Sequence, residues 1–188
     1  HRNEIIHQYV TCKLKIVTMK KHLAIILLLI SFKSFACTCA IKKLSDWQKY
    51  ELENSECIFI GEIIEANDSN LTFKIKVTES LDGGDSIGNV YVGKNWKYCS
   101  PYVEKKGKWI VYGNMEDGFL RLNMCGISRS FDYPVVNPLP PSPELYEKYT
   151  TEKERKKIYE KLRTETMKIA LSDLKLEIIA LRERRDDE

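Results

Sequence analysis

The chain is 188 residues long, carries 30 Lys and Arg against 27 Asp and Glu for a formal net charge of +3, and holds only three histidines, His1, His7 and His22. All three precede residue 37, so a protein cut there lacks the commonest general base and the commonest zinc ligand, which excludes Ser/His/Asp and Cys/His catalytic sites. The same cut removes six basic groups and one acidic group, leaving 24 against 26 and a net charge of −2, so the clustered positive surface that nucleic-acid binding requires is not expected.

The cut is expected because residues 19–36 have the order of a signal peptide. Met19-Lys20-Lys21-His22 is basic, residues 23–30 are an unbroken apolar run, and Ser34-Phe35-Ala36 places small residues three and one before the break. Eight apolar residues fall well short of the roughly 20 of a spanning helix. No membrane anchor is therefore expected after cleavage, and the protein is expected to be secreted, extracellular or periplasmic. Ser34 stands where a lipoprotein signal carries a Leu-like residue, which disfavours lipid anchoring at Cys37. Residues 1–18 precede the first methionine and read as an upstream segment foreign to the exported chain; Cys12 goes with them. Residues 37–188 then suffice for one small domain and an appendage. Gly83-Gly84 reads as a turn rather than a nucleotide-binding loop, and no acidic pair stands out among 26 carboxylates. Neither catalysis nor a cofactor is expected.

Residues 40–56 place Leu44, Trp47, Tyr50 and Glu51 at helical spacing, with Ser45 as N-cap, and predict a short helix. Residues 57–66 follow as a strand, and Asn67-Asp68-Ser69-Asn70 as a polar turn. Two matches to the glycosylation pattern, at Asn67 and Asn70, are what a turn rich in Asn and Asp produces by composition. Leu71, Phe73, Ile75 and Val77 then alternate with Thr72, Lys74, Lys76 and Thr78, the mark of a half-buried strand. Residues 89–93 predict a third strand with Val90 and Val92 inward. Residues 108–113 predict a fourth, which Asp117-Gly118 turns into a fifth over residues 119–125 as a hairpin. Five short strands with one early helix predict a mainly β fold, a five-stranded Greek-key barrel of the oligonucleotide/oligosaccharide-binding (OB) type. Trp96, Tyr98, Trp109 and Tyr112 have the composition of a base-stacking platform, but without surplus basic charge they are expected to pack in core and rim.

Five cysteines follow the cut: Cys37, Cys39, Cys57, Cys99 and Cys125. In an exported protein they are expected to pair, and an odd number leaves one thiol over. Two bridges among five cysteines allow several connectivities, which spacing alone does not resolve. Cys57, at the head of the β-branched run from Cys57 to Ile64, is the residue best suited to remain a buried thiol.

The order of these features resembles the amino-terminal, netrin-like domain of the tissue inhibitors of metalloproteinases, in a secreted form of bacterial type. The features are Cys37-Thr38-Cys39 at the mature start, the strand from Cys57, the strand from Phe73 ending in Leu81-Asp82-Gly83, the pair Tyr98-Cys99, and Lys108-Trp109-Ile110-Val111-Tyr112-Gly113 followed by Glu116-Asp117-Gly118-Phe119-Leu120 and Cys125. The resemblance covers residues 37–130. It implies a TIMP-like OB barrel with Cys37 paired to Cys99, Cys39 paired to Cys125, and Cys57 free. The family's third amino-domain bridge and its disulfide-rich carboxy-terminal domain are missing, and Ala40-Ile41 stands where a proline usually follows the Cys-x-Cys.

The resemblance also implies a partner and a site. The free α-amine and carbonyl oxygen of Cys37 chelate the zinc of a target metalloprotease at its open position, Thr38 points into the protease pocket, and Thr38, Cys39, Ala40, Lys97 and Tyr98 form the contact ridge. The alternatives are a disulfide-stapled terminus on a non-inhibitory extracellular or envelope binding module, and a soft-metal Cys-x-Cys site, which oxidation in an exported compartment disfavours.

Residues 131–143, with Pro134, Pro138, Pro140, Pro141 and Pro143, predict a linker without regular structure. Residues 144–188 predict a charged amphipathic helix, opened by a Thr151/Glu154 capping box and extending to about Arg184. Leu171, Leu174, Ile178 and Leu181 form a narrow apolar stripe along it. This helix is expected to pack on the barrel or bind a partner, and to be dispensable for the barrel's own folding.

Overall fold

Two runs, Cys57-Ile58-Phe59-Ile60-Gly61 and Trp109-Ile110-Val111-Tyr112-Gly113, are buried at every position. A strand shows two faces, so unbroken burial means that both faces are covered. The computed structural model describes residues 39–40, 42–136, 142–149 and 151–187, apart from the side chains of Leu145 and Tyr146. In it the covering layers are a closed barrel on one side of these strands and two helices on the other.

The elements are α1 (Leu44–Asn54), β1 (Cys57–Asn67), β2 (Thr72–Ser80), β3 (Val90–Lys94), β4 (Gly107–Glu116), β5 (Phe119–Leu122), β6 (Arg129–Ser130), α2 (Pro143–Lys148) and α3 (Glu152–Asp187). β1 pairs antiparallel with both β2 and β4, β2 with β3, and β4 with β5, while β3 runs parallel to β5. The barrel thus closes in the order β1-β2-β3-β5-β4, with β6 added outside on β4. This is the expected five-stranded OB-type barrel with a short N-terminal helix and a long C-terminal helix. Two register shifts in β1, after Ile60 and after Ile63, bend that strand in the way bulges do, so that it serves two neighbours.

Phe59, Ile63, Phe73, Ile75, Val77, Trp109, Val111 and Leu120 fill the barrel. On the outer face of β1 and β4, Ile58, Ile60, Ile110 and Tyr112 form a second core with Trp47 from α1, Ile127, and Leu174, Ile178 and Leu181 from α3. The aromatic platform is thereby dissolved: Trp109 and Tyr112 are buried on opposite faces of the same strand.

Several local expectations change. Val90 and Val92 face outward, 45% and 40% exposed, and β3 instead turns Tyr91 and Gly93 toward Ile75 and Phe73 of β2. Tyr91 stacks on Phe59 with ring centroids 5.6 Å apart. A Cβ on Gly93 would lie 2.1 Å from the Phe73 ring, so the glycine makes room for that aromatic. Leu71, with φ of 59°, belongs to the turn rather than to β2. That turn is held by two Asx contacts, Asn67 Oδ1 accepting from Ser69 N and Asn70 Oδ1 from Thr72 N. The N-cap of α1 is Lys43, and Ser45 sits inside the first turn. The Asp117-Gly118 hairpin forms, with φ of 52° and 79°.

The tail helix packs on the barrel, one of its two expected positions, but more deeply than a dispensable appendage would. The Thr151/Glu154 capping box is made, with Thr151 Oγ1 donating to the Glu154 carboxylate at 2.8 Å. The second half of α3, however, is a wall of the outer core. Besides its three buried aliphatic residues it inserts Glu177 beneath the surface, where the carboxylate accepts from Arg129 Nη2 at 2.9 Å, Arg129 Nη1 at 3.1 Å, Tyr112 Oη at 2.8 Å and Gln48 Nε2 at 2.6 Å. Nearer the end, Arg182 makes a two-pronged contact with Glu79 at 2.6 and 2.7 Å, holding that carboxyl below its ordinary range. Burying three aliphatic side chains contributes roughly 1.5–3 kcal/mol each, so the expectation of a dispensable tail gives way. The start of the expected linker is structural too, since Phe131 and Val136 pack against the same core.

Candidate functional site

The described part of the expected ridge lies where the barrel's last strand ends. β5 stops at Leu122, and the chain turns through Asn123 to Gly126, with Cys125 at φ of 61°. This turn is braced from α1. Glu51, fully buried, accepts from Asn123 Nδ2, from Ser55 Oγ at 2.9 Å and from Ile127 N at 3.2 Å. Burial holds its carboxyl above the ordinary range despite those bonds. Gly126 packs so closely that a Cβ would lie 2.2 Å from Glu51 Oε1.

The braced turn places Cys125 against Cys39, and the two form a disulfide with Cα atoms 5.4 Å apart. This is the pairing that the resemblance implied. Cys125 N also donates to Ser100 O at 2.8 Å, which draws the 95–103 loop alongside. That loop is pinned at its ends by Asn95, whose amide exchanges two 2.9 Å bonds with the Val103 backbone, and by Trp96 Nε1, which donates to Leu122 O at 2.8 Å. Its tip remains in solvent, with Tyr98 73% exposed and Lys97 Nζ 5.1 Å from the Tyr98 ring.

Of the expected ridge, Cys39, exposed Ala40, Lys97 and Tyr98 are therefore on one pinned frame. Cys37 and Thr38, and with them the expected bridge from Cys37 to Cys99 and the zinc-chelating group, lie outside the described residues. Cys99 is disulfide-bonded. Cys57 is a free, buried thiol at the end of the barrel. Burial first, and then the nearby carboxylates of Asp85, Asp82 and Glu56, push it up to about 12, so it stays protonated and unreactive.

Sequence reasoning missed the surface beside the ridge. Tyr50, Trp96, Met115, Arg121 and Met124 line a cleft of 450 Å³, with the Arg121 guanidinium 4.9 Å from the Trp96 ring centre. Met124, directly before Cys125, is the residue whose position could have been read from the chain. Exposed Tyr50, Met115 and Met124 on a frame that does not have to be ordered on binding are the materials of a protein-contact surface.

Among the described residues, no group of three or more His, Cys, Asp or Glu is arranged to hold a metal ion, and no helix is long and apolar enough to cross a membrane. Compared with known proteins, the chain matches no family model and no curated sequence.

Proposed function

We propose that the chain is a secreted inhibitor of a zinc metalloprotease, acting as the tissue inhibitors of metalloproteinases do, through the amine and carbonyl of Cys37. The observation that carries this reading is the Cys39–Cys125 disulfide beside the 2.8 Å bond from Cys125 N to Ser100 O. Together they anchor the residue two positions after Cys37 next to an exposed aromatic loop.

An α-amine titrates at roughly 7.7–8.0, so a neutral donor is accessible near physiological pH, and metal binding favours the deprotonated form. With the carbonyl oxygen of the same residue it closes a five-membered chelate at the open position of the protease zinc and displaces the attacking water. The disulfide closes a separation of 86 residues. The chain-entropy model assigns roughly 4 to 5 kcal/mol to a loop of that length, and the anchored terminus forgoes the ordering entropy that a free one would lose on binding. Thr38, Cys39, Ala40, Lys97 and Tyr98 supply the contacts. Neither catalysis nor an intrinsic metal forms part of this reading.

The second reading is a binding module in which the disulfide only fastens the terminus. The cleft lined by Tyr50, Trp96 and Met124 favours it, because it offers a partner surface that does not depend on Cys37. One experiment separates the two. An alanine placed before Cys37 turns the amine into an amide nitrogen and adds bulk where zinc should sit, while leaving the barrel intact. Inhibition of a panel of zinc metalloproteases should be lost in the extended protein and reduced in a graded way by Thr38→Gly, with unchanged thermal unfolding. Equal potency of native and extended forms would refute chelation and leave the binding module.

A further inference from the structure

A cleft of 580 Å³ between α1 and α3 is lined by both helices, but its polar floor is already paired, since Gln48 Nε2 and Tyr112 Oη both donate to Glu177. A smaller cavity of 240 Å³ differs. Lys42, Leu44, Trp47, Arg129, Val136 and Ile169 are among its lining residues, so it lies where the start of α1, the middle of α3 and the 134–136 segment meet. Two of those side chains bury an N–H that meets no acceptor, Trp47 Nε1 and Arg129 Nε, on residues 7% and 4% exposed. The other two guanidinium nitrogens of Arg129 are spent on Ile127 O and on Glu177, which leaves Nε as the donor in excess.

Buried donors without partners are rare, because each forfeits its hydrogen bonds to water and gains nothing in return. Two on residues that line one cavity point to a missing acceptor. Indole and guanidinium N–H groups donate and cannot accept, and neither can the ammonium of Lys42, whose Nζ lies 4.8 Å from the Trp47 ring centre. The remaining wall is mostly aliphatic, with Thr166 and Asp173 its polar side chains. A water accepting from both donors would have the two to four polar partners of an ordinary buried water, but it would leave the aliphatic wall uncovered, whereas an acceptor carried on an apolar body satisfies both.

We propose that this cavity binds a small molecule with a short apolar body and an sp² oxygen head, carboxylate or carboxamide, whose oxygens accept from Trp47 Nε1 and Arg129 Nε while the body lies against Leu44, Val136 and Ile169. The local charges are balanced, Glu177 against Arg129 and Asp173 against Lys42, so the head group is selected by its acceptors. This site is separate from the ridge at Cys39 and does not rest on the inhibitor reading.

The test is a titration of the ¹⁵N-labelled full chain with hexanoate and, separately, hexanamide, following the indole N–H resonances, with Trp47 assigned from Trp47→Phe. The Trp47 resonance should move saturably with at least one probe, while that of Trp96, already bonded to Leu122 O, stays in place. A response to hexanoate alone identifies a carboxylate ligand, and a response to hexanamide alone a neutral carbonyl. Ala170→Phe, which fills the cavity from the helix side, should weaken the response roughly tenfold or more. If that variant fails to fold, Val136→Trp fills the same space from the loop. Arg129 also lines a second cleft of 480 Å³ that Trp47 does not reach, so Trp47 reports the proposed site alone. A Trp47 resonance unmoved by both probes, or moved equally in the filled variants, overturns the proposal.

Discussion

Glu177→Ala is the sharpest perturbation of the packing that joins the tail to the barrel. The carboxylate and the Arg129 guanidinium are 3% and 5% exposed, and the same carboxylate also takes hydrogen bonds from Tyr112 and Gln48. Its removal leaves a buried cation with only Ile127 O for a partner, and leaves a buried phenol unpaired. Breaking one partner out of a buried pair costs about 3–5 kcal/mol, a large part of the 5–15 kcal/mol that separates folded from unfolded domains. With a urea slope of about 2 kcal/mol/M, a loss of about 4 kcal/mol lowers the unfolding midpoint by about 2 M. The assay is urea unfolding of wild type, Glu177→Ala, Arg129→Met and the double variant. The double variant should be more stable than the sum of the single losses allows, because neither charge is then left alone. A Glu177→Ala midpoint within 0.3 M of wild type, a shift of about 0.6 kcal/mol by the same slope, or strictly additive losses, would show that the helix does not dock through this pair.

Three further outcomes are expected. A chain ended after Val136 uncovers Ile58, Ile60, Ile110 and Tyr112 and leaves Arg129 without Glu177, so it should lose cooperative thermal unfolding; a sharp transition near the wild-type temperature would restore the tail to an optional appendage. Asp85, whose Oδ2 is buried without a partner beside Asp82, Tyr91 and Cys57, is held by burial above its ordinary value of 3.8. The folded state therefore binds that proton more tightly than the unfolded chain. Its contribution is fully favourable below 3.8 and is lost as pH rises through the folded value. Asp85→Asn should flatten this fall in stability in pH-dependent melts, and an unchanged profile would place the cause elsewhere. Unreduced peptide mapping should recover the Cys39–Cys125 linkage together with a peptide joining Cys37 to Cys99, while Cys57 should resist alkylation until the protein unfolds; a bridge through Cys57 would contradict the β1 register.

Much of this fold was legible in the chain because the relevant signals are local. Strict alternation from Phe73 to Val77 specifies the inward face of β2, Asp117-Gly118 supplies the positive φ values that a tight hairpin requires, and Thr151 with Glu154 opens α3. The Cys39–Cys125 bridge was expected from the order of motifs and not from any physical rule of spacing. At the candidate site, Lys97 and Tyr98 could be named from the sequence, and Met124 could have been as the neighbour of Cys125, while Tyr50 could not, because the helix that carries it and the turn at Cys125 are more than 70 residues apart. Tertiary structure alone decided the rest. Val90, Tyr91 and Val92 leave both parities of β3 apolar, so only the stacking of Tyr91 on Phe59 and the entry of the Phe73 ring at Gly93 choose the inward one. A two-residue strand such as β6 has no periodicity to read. Glu177 looks like one more charge on a charged helix, and its burial follows from Gln48, Tyr112 and Arg129, residues 129, 65 and 48 positions away. The sequence was enough to mark the five barrel strands and the helices α1 and α3, because those preferences act over a few residues. Which faces those segments bury, and which polar groups go beneath the surface with them, was determined only when distant segments met.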